Sequence, residues 1–218
     1  MIRLTKLQEP DILVQKAEIW KSELMMYVSN DKEIPKKIGS KYSHKDIKKN
    51  LLIETNEKCA YCESIITNID YGDIEHIEPK SKIPEKTFDW SNLTISCGKC
   101  NQNKGNYYDE SLPLINPYID EPEEEIIFLG AYPSARSDRA LMTVKKLKLD
   151  RVELIEKRAE HIKKIQPLIN SYLNAKNKLL QKMLYEDLIE YTKKTNEYSS
   201  MMNFIMRTID SPDKIQVG

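Results

Sequence analysis

Cys59-Ala-Tyr-Cys62 and Cys97-Gly-Lys-Cys100 hold all four cysteines of the chain, and the 34 residues between the two pairs decide how the rest is read. Each pair has the spacing of a tight knuckle whose two sulfurs point at one ion. Two knuckles supply the four thiolates of a closed tetrahedral zinc site, which is structural because no coordination position stays open. A redox Cys-x-x-Cys and paired disulfides are the competing readings. The motif occurs twice, no thioredoxin-like βαβ pattern surrounds it, and the opening MIRLTKLQEP carries no apolar signal region, so zinc is preferred.

Between and just after the knuckles lie Asp73-Ile-Glu75-His76-Ile-Glu-Pro79, Trp90-Ser-Asn92-Leu93 and Asn101-Gln-Asn103-Lys104-Gly105. Residues 71–77 read as a strand, Leu93 to Ser96 as a second one, and 98–106 as a short helix, giving strand, loop, strand and helix pinned by zinc. A lone histidine is more often structural than catalytic. An acid beside His76, with two asparagines downstream, shifts that balance toward chemistry.

These residues resemble the HNH, or ββα-metal, nuclease family, with its acid-His pair on the first strand, an Asn before a Leu in the loop, and a His or Asn on the helix. The three positions read His76, Asn92 and Asn101 here. The resemblance implies His76 as general base and Asn92 as the loop residue that fixes its orientation. Glu75 and Asn101 become ligands of one catalytic Mg²⁺ or Mn²⁺, since carboxylate and amide oxygens suit hard cations, and Lys104 is expected to meet a substrate phosphate. Glu75 departs from the commoner Asp by one methylene.

A closer likeness covers most of the chain: the opening MIRLTKLQEP, Cys-Ala-Tyr-Cys-Glu, Glu-His-Ile-Glu-Pro-Lys-Ser, Trp-Ser-Asn-Leu and Leu-Pro-Leu-Ile-Asn-Pro before a helical tail. It is similar to the PtuB-type HNH subunit of Septu anti-phage systems, including those attached to retrons. The resemblance implies an ATPase partner of the ABC or SMC-like kind, a nucleic-acid substrate with DNA favoured over tRNA, and, in retron-attached members, a reverse transcriptase with its DNA. A catalytically silent zinc module that binds nucleic acid, and an adaptor that docks on an ATPase, are the readings from other classes.

The expected fold class is α+β: a zinc-pinned ββα core over residues 58–109, helices over 1–57, an extended crossover over 110–133 and a helical region over 134–218. Its 218 residues, 40% of them hydrophobic, suffice for a modest core, and no apolar run reaches the length of a membrane span, so a cytoplasmic protein is expected. The 34 basic and 34 acidic residues balance, which argues against a chain that grips a long duplex by itself. The acids concentrate in the core and crossover and the lysines in the flanks.

Apolar spacing predicts a helix over 11–29, with Trp20 packed on the core, and one over about 44–56 capped by Ser43. Further helices are expected over 137–147, from a cap at Asp150 to Pro167, over 168–190 and over 196–209, with residues 126–129 a short buried strand. His44 reads as an exposed first-turn residue, His161 as structural, Tyr107 and Tyr108 as packing residues, and the late methionines as core filler or a protein-binding face.

Overall fold

The computed structural model describes residues 1–66 and 71–209. The N-terminal part comprises α1 (Asp11–Ser29), α2 (Lys36–Gly39) and α3 (Lys45–Thr55). The centre holds β1 (Asp73–His76), β2 (Leu93–Ser96) and α4 (Gly98–Lys104). A short α5 (Pro122–Glu125) leads into the hairpin β3 (Ile126–Leu129) and β4 (Tyr132–Ala135). Four helices follow among the described residues: α6 (Asp138–Lys146), α7 (Val152–Asn174), α8 (Lys178–Glu190) and α9 (Ser199–Thr208). The class is α+β, as the sequence implies. No helix among the described residues is long and apolar enough to cross a membrane.

β1 and β2 pair antiparallel, with Glu75 opposite Thr94 and His76 opposite Leu93. All four residues of β2 are buried because α3 covers one face, through Ile47 and Leu51, and the N-terminal segment crosses behind. That segment is tied by Lys6 Nζ to the Leu93 carbonyl (2.6 Å) and by Trp90 Nε1 to the Leu7 carbonyl (2.8 Å). A two-stranded ribbon is too small to be stable alone, so the layers around it are a condition of its existence. One apolar core takes Leu13 and Leu51 from the first region, Ile95 from the centre, Phe128 from the crossover, and Leu154 and Met202 from the last. Trp20 packs edge-on against Phe88, with ring centroids 5.6 Å apart. Met201 and Met202 are fully buried and act as core filler.

Three boundaries differ from the sequence reading. Ser43 belongs to a 3₁₀ turn over Lys41–Ser43, so the extended residue before α3 is His44, whose Nδ1 accepts the Asp46 amide at 3.3 Å. Asp150 does not cap α7; it receives Lys145 Nζ at 2.6 Å, and Arg151 takes the cap position. The helix expected to stop at Pro167 runs on to Asn174. Proline removes one helix hydrogen bond and crowds the preceding turn, but Ile165 and Tyr172 on either side of it are buried and hold the axis. Instead the chain breaks just before α8, where Asn177 Oδ1 accepts the Leu180 amide.

Pro167 is exposed, so Pro167→Ala restores a backbone donor without disturbing the core. The expected result is a gain of about 1–3 kcal/mol in urea unfolding. A loss would show that the proline's bend is needed to seat Tyr172.

Candidate active site

The two cysteine knuckles meet at one point. Cys59 and Cys62 sit on a turn closed by bonds from the Glu63 amide to the Cys59 carbonyl (3.0 Å) and from the Cys59 amide to the Ser64 carbonyl (2.9 Å). Cys97 caps α4 and Cys100 lies on its first turn. All four are free thiols, and their sulfurs lie within 4.8 Å of one another. Cys62 and Cys97 Sγ are 3.9 Å apart, close to the roughly 3.8 Å edge of a tetrahedron built on Zn–S bonds of about 2.3 Å. Burial holds the Cys59 thiol well above its ordinary pKa, whereas hydrogen bonds from neighbouring thiols bring Cys62 and Cys97 down, and a cation among the four sulfurs would favour the thiolate form of the whole set. Arg151 Nη1 approaches Cys100 Sγ at 3.8 Å and adds a positive neighbour.

Glu63, next to Cys62, anchors the first knuckle to α9. It accepts bonds from Ser199 Oγ (2.9 Å) and the Ser200 amide (3.1 Å), and it pairs with the Met1 amino group (2.7 Å) and Lys58 (3.8 Å). Burial alone pushes its carboxyl up; the two ammonium groups and the hydroxyls outweigh that and bring it to about 2.

One face of β1 looks onto α4. Side chains alternate along a strand, so Asp73 and Glu75 share this face. Asn101 Nδ2 donates to Asp73 Oδ2 at 2.9 Å, on the rim of an open cleft. Lys104 Nζ donates to Glu75 Oε1 at 2.5 Å and to the His76 carbonyl at 2.7 Å. Glu75 is buried, which raises its pKa, and the Lys104 ammonium pulls it part of the way back. Lys104, expected at a substrate phosphate, is instead enclosed, with 2% of its side chain exposed. Two carboxylates and an amide oxygen are hard donors, and their chemistry fits a divalent cation.

His76 points to the other face. Its Nε2 lies 2.9 Å from the Thr87 carbonyl, which can only accept, so Nε2 carries the proton and Nδ1 keeps a lone pair. Burial pushes its pKa down to about 4; the Thr87 bond opposes this, and Lys80 and Lys104 add to it. Near neutral pH the ring is therefore an uncharged base. The Tyr42 ring meets the imidazole edge-on, centroids 4.5 Å apart.

Among the described residues Asn92 makes no hydrogen bond to the imidazole. Its Nδ2 donates to the Glu78 and Lys86 carbonyls (3.0 and 3.1 Å) and its Oδ1 accepts the Glu78 amide (2.8 Å). These bonds staple the two ends of the loop that carries Thr87, so Asn92 acts on His76 through the backbone. Tyr42, Thr87 and Asp73 were not legible as site residues. Asp73 stands two residues before Glu75, a period-2 signal that could have marked it; Tyr42 gave none.

A family model described as HNH endonuclease matches residues 59–107, the stretch that carries the knuckles and both reactive faces. The Septu protein PtuB of Bacillus mycoides (strain KBAB4) is 30% identical over 212 residues, covering 79% of this chain and 71% of that protein. This chain belongs to the PtuB family of Septu proteins. A second PtuB, from Bacillus thuringiensis, is 26% identical over 174 residues, covering 73% of this chain and 68% of that protein. The HNH match of this PtuB-family chain begins at the first cysteine and ends just beyond α4, so it coincides with the ββα unit. The chain is an HNH endonuclease, a hydrolase of phosphodiester bonds.

Cys97→Ser should empty the metal centre and unfold the core, because zinc supplies roughly 10–16 kcal/mol in small zinc modules. Metal analysis should give one zinc per wild-type chain; a zinc-free chain with native near-UV dichroism would overturn the structural role. The Glu63 contribution has a defined pH window. Its folded pKa of about 2 lies below the ordinary value of 4.5, so it stabilises fully above pH 4.5 and the effect is lost as pH falls toward 2. Glu63→Gln should be less stable than wild type by on the order of 3 kcal/mol at neutral pH, with the gap closing through that window in pH-resolved urea titrations.

Proposed function

We propose that this chain is the metal-dependent nuclease effector of an anti-phage defence complex, that it works with an ATPase partner of the ABC or SMC-like kind, and that its substrate is DNA. The observation that carries the chemistry is the hydrogen bond from His76 Nε2 to the Thr87 carbonyl, which leaves Nδ1 as a neutral base on the face of β1 opposite the one that carries Asp73 and Glu75. The likeness to proteins named Septu supports the defence setting.

Hydrolysis of a phosphodiester needs a base for the attacking water and stabilisation of the charge on phosphorus and on the leaving oxygen. Among the described residues β1 is an edge strand, paired only with β2. A phosphate bound at its free edge would lie between the face that carries His76 and the face that carries Glu75. His76 Nδ1 takes the proton of the water while the Thr87 carbonyl keeps the ring in the required tautomer. Glu75 and Asn101, with Asp73 beside them, would hold Mg²⁺ or Mn²⁺, whose charge would polarise the phosphate and stabilise the leaving oxygen. Lys104 braces strand against helix by holding both the Glu75 carboxylate and the His76 carbonyl. Asn92 keeps the loop closed behind the base.

The test is cleavage of supercoiled plasmid and of a tRNA pool with Mg²⁺ or Mn²⁺, by wild type and His76→Ala, each alone and with the neighbouring ATPase. Losing a general base costs about 10²- to 10⁴-fold, so cutting should fall by at least that much in a variant that retains zinc and its fold. A folded, fully active variant would sink the assignment, and tRNA consumed in place of plasmid would overturn the choice of DNA.

A further inference from the structure

We propose that Lys80, not Lys104, is the lysine of this nuclease that binds a nucleic-acid phosphate, and that Lys36, Lys37 and Lys82 continue the same basic rim. The assignment rests on His76 marking the active site. Lys104 has no room for a phosphate, since its ammonium is enclosed between the Glu75 carboxylate and the His76 carbonyl. Lys86 is paired with Glu78 and Lys41 with Glu23. Lys80, four residues after His76, has no carboxylate partner among the described residues.

Two neutral oxygens hold Lys80 instead. Its Nζ donates to Tyr42 Oη at 2.8 Å and to the Gly39 carbonyl at 3.3 Å, and it lies 4.3 Å from the centre of the Tyr42 ring. The same ring meets the His76 imidazole, so a single aromatic side chain separates cation from base. An ammonium has three donors, and two are taken here. The charge is undiminished and one N–H remains for a ligand oxygen. Neutral acceptors that aim a cation without neutralising it suit an anionic ligand, and lysine meets a phosphate as a point charge.

The surroundings widen this from one group to a surface. Lys36 and Lys37 are exposed on α2, the short helix whose last carbonyl receives Lys80, and Lys82 is exposed two residues beyond Lys80. None of the three has an ion-pair partner among the described residues. Against a formal charge of zero for the whole chain, this cluster fits the repeating negative charge of a nucleic-acid backbone that passes over Lys80 toward His76.

The test reads binding separately from cleavage: fluorescence anisotropy of a labelled DNA duplex and of a labelled tRNA, with zinc-loaded full-length protein and no added Mg²⁺ or Mn²⁺, across a salt series. Lys80→Gln should weaken binding several-fold and make the plot of log affinity against log salt shallower by about 0.9 for duplex, the signature of one lost phosphate contact. Lys80→Arg should restore the slope. Tyr42→Phe, which removes the acceptor but not the charge, should leave it unchanged. A Lys80→Gln slope equal to wild type, an equal defect in Lys80→Arg, or no measurable binding of either probe by wild type would overturn the assignment. Binding that depends on Lys80 in a protein that cuts nothing with Mg²⁺ or Mn²⁺ would sink the nuclease mechanism and leave the phosphate site standing. The probe whose slope responds to Lys80 identifies the nucleic acid.

Discussion

Four sulfurs converging on one point are the constraint from which the other features of this chain follow. A ribbon of two four-residue strands and a seven-residue helix buries too little apolar surface to repay the entropy of ordering it. The cysteine cluster supplies the missing energy and sets geometry as well. Cys97 and Cys100 fix where α4 starts, and Cys59 and Cys62 fix the turn that feeds the ribbon. With α4 placed, Asn101 falls beside Asp73 and Lys104 beside Glu75. The cluster thus positions the reactive groups from outside them.

Outside that unit, the N-terminal and C-terminal regions do different work. The N-terminal segment and α3 bury the back of β2, and the loop before α3 sends Tyr42 onto the imidazole. The C-terminal helices reach the cysteine end instead: Ser199 and Ser200 of α9 hold Glu63, and Arg151 at the start of α7 approaches Cys100. A perturbation of the helical tail therefore has a direct route to the knuckle and only an indirect one to His76.

Charge is distributed to match. Acidic groups face α4 and fill the crossover, and carboxylates of this kind suit hard cations, whereas the side of the ribbon carrying His76 is rimmed by lysines. Of the lysines near the reactive groups, Lys104, Lys86 and Lys41 are matched by carboxylates, and Lys80 is held by neutral oxygens. That difference separates a cation that braces the fold from one that is available to a ligand.

Short windows of the chain were enough to reveal the cysteine cluster, the strand, loop, strand and helix order, and the residue types of the site. All of these are local: Cys-x-x-Cys spacing, an acid beside a histidine, and period-2 and helical patterning are each written within a few residues. How those groups are used emerged only from the packed molecule. Lys104 reads as a phosphate ligand in its local sequence, and Glu75, 29 residues earlier, occupies it in the fold. Lys80 gained meaning from Tyr42, 38 residues away along the chain, and Pro167 did not end its helix because Ile165 and Tyr172 on either side of it are buried in the core. Contacts between distant segments depend on the packing of whole layers, and no local pattern in the chain records them.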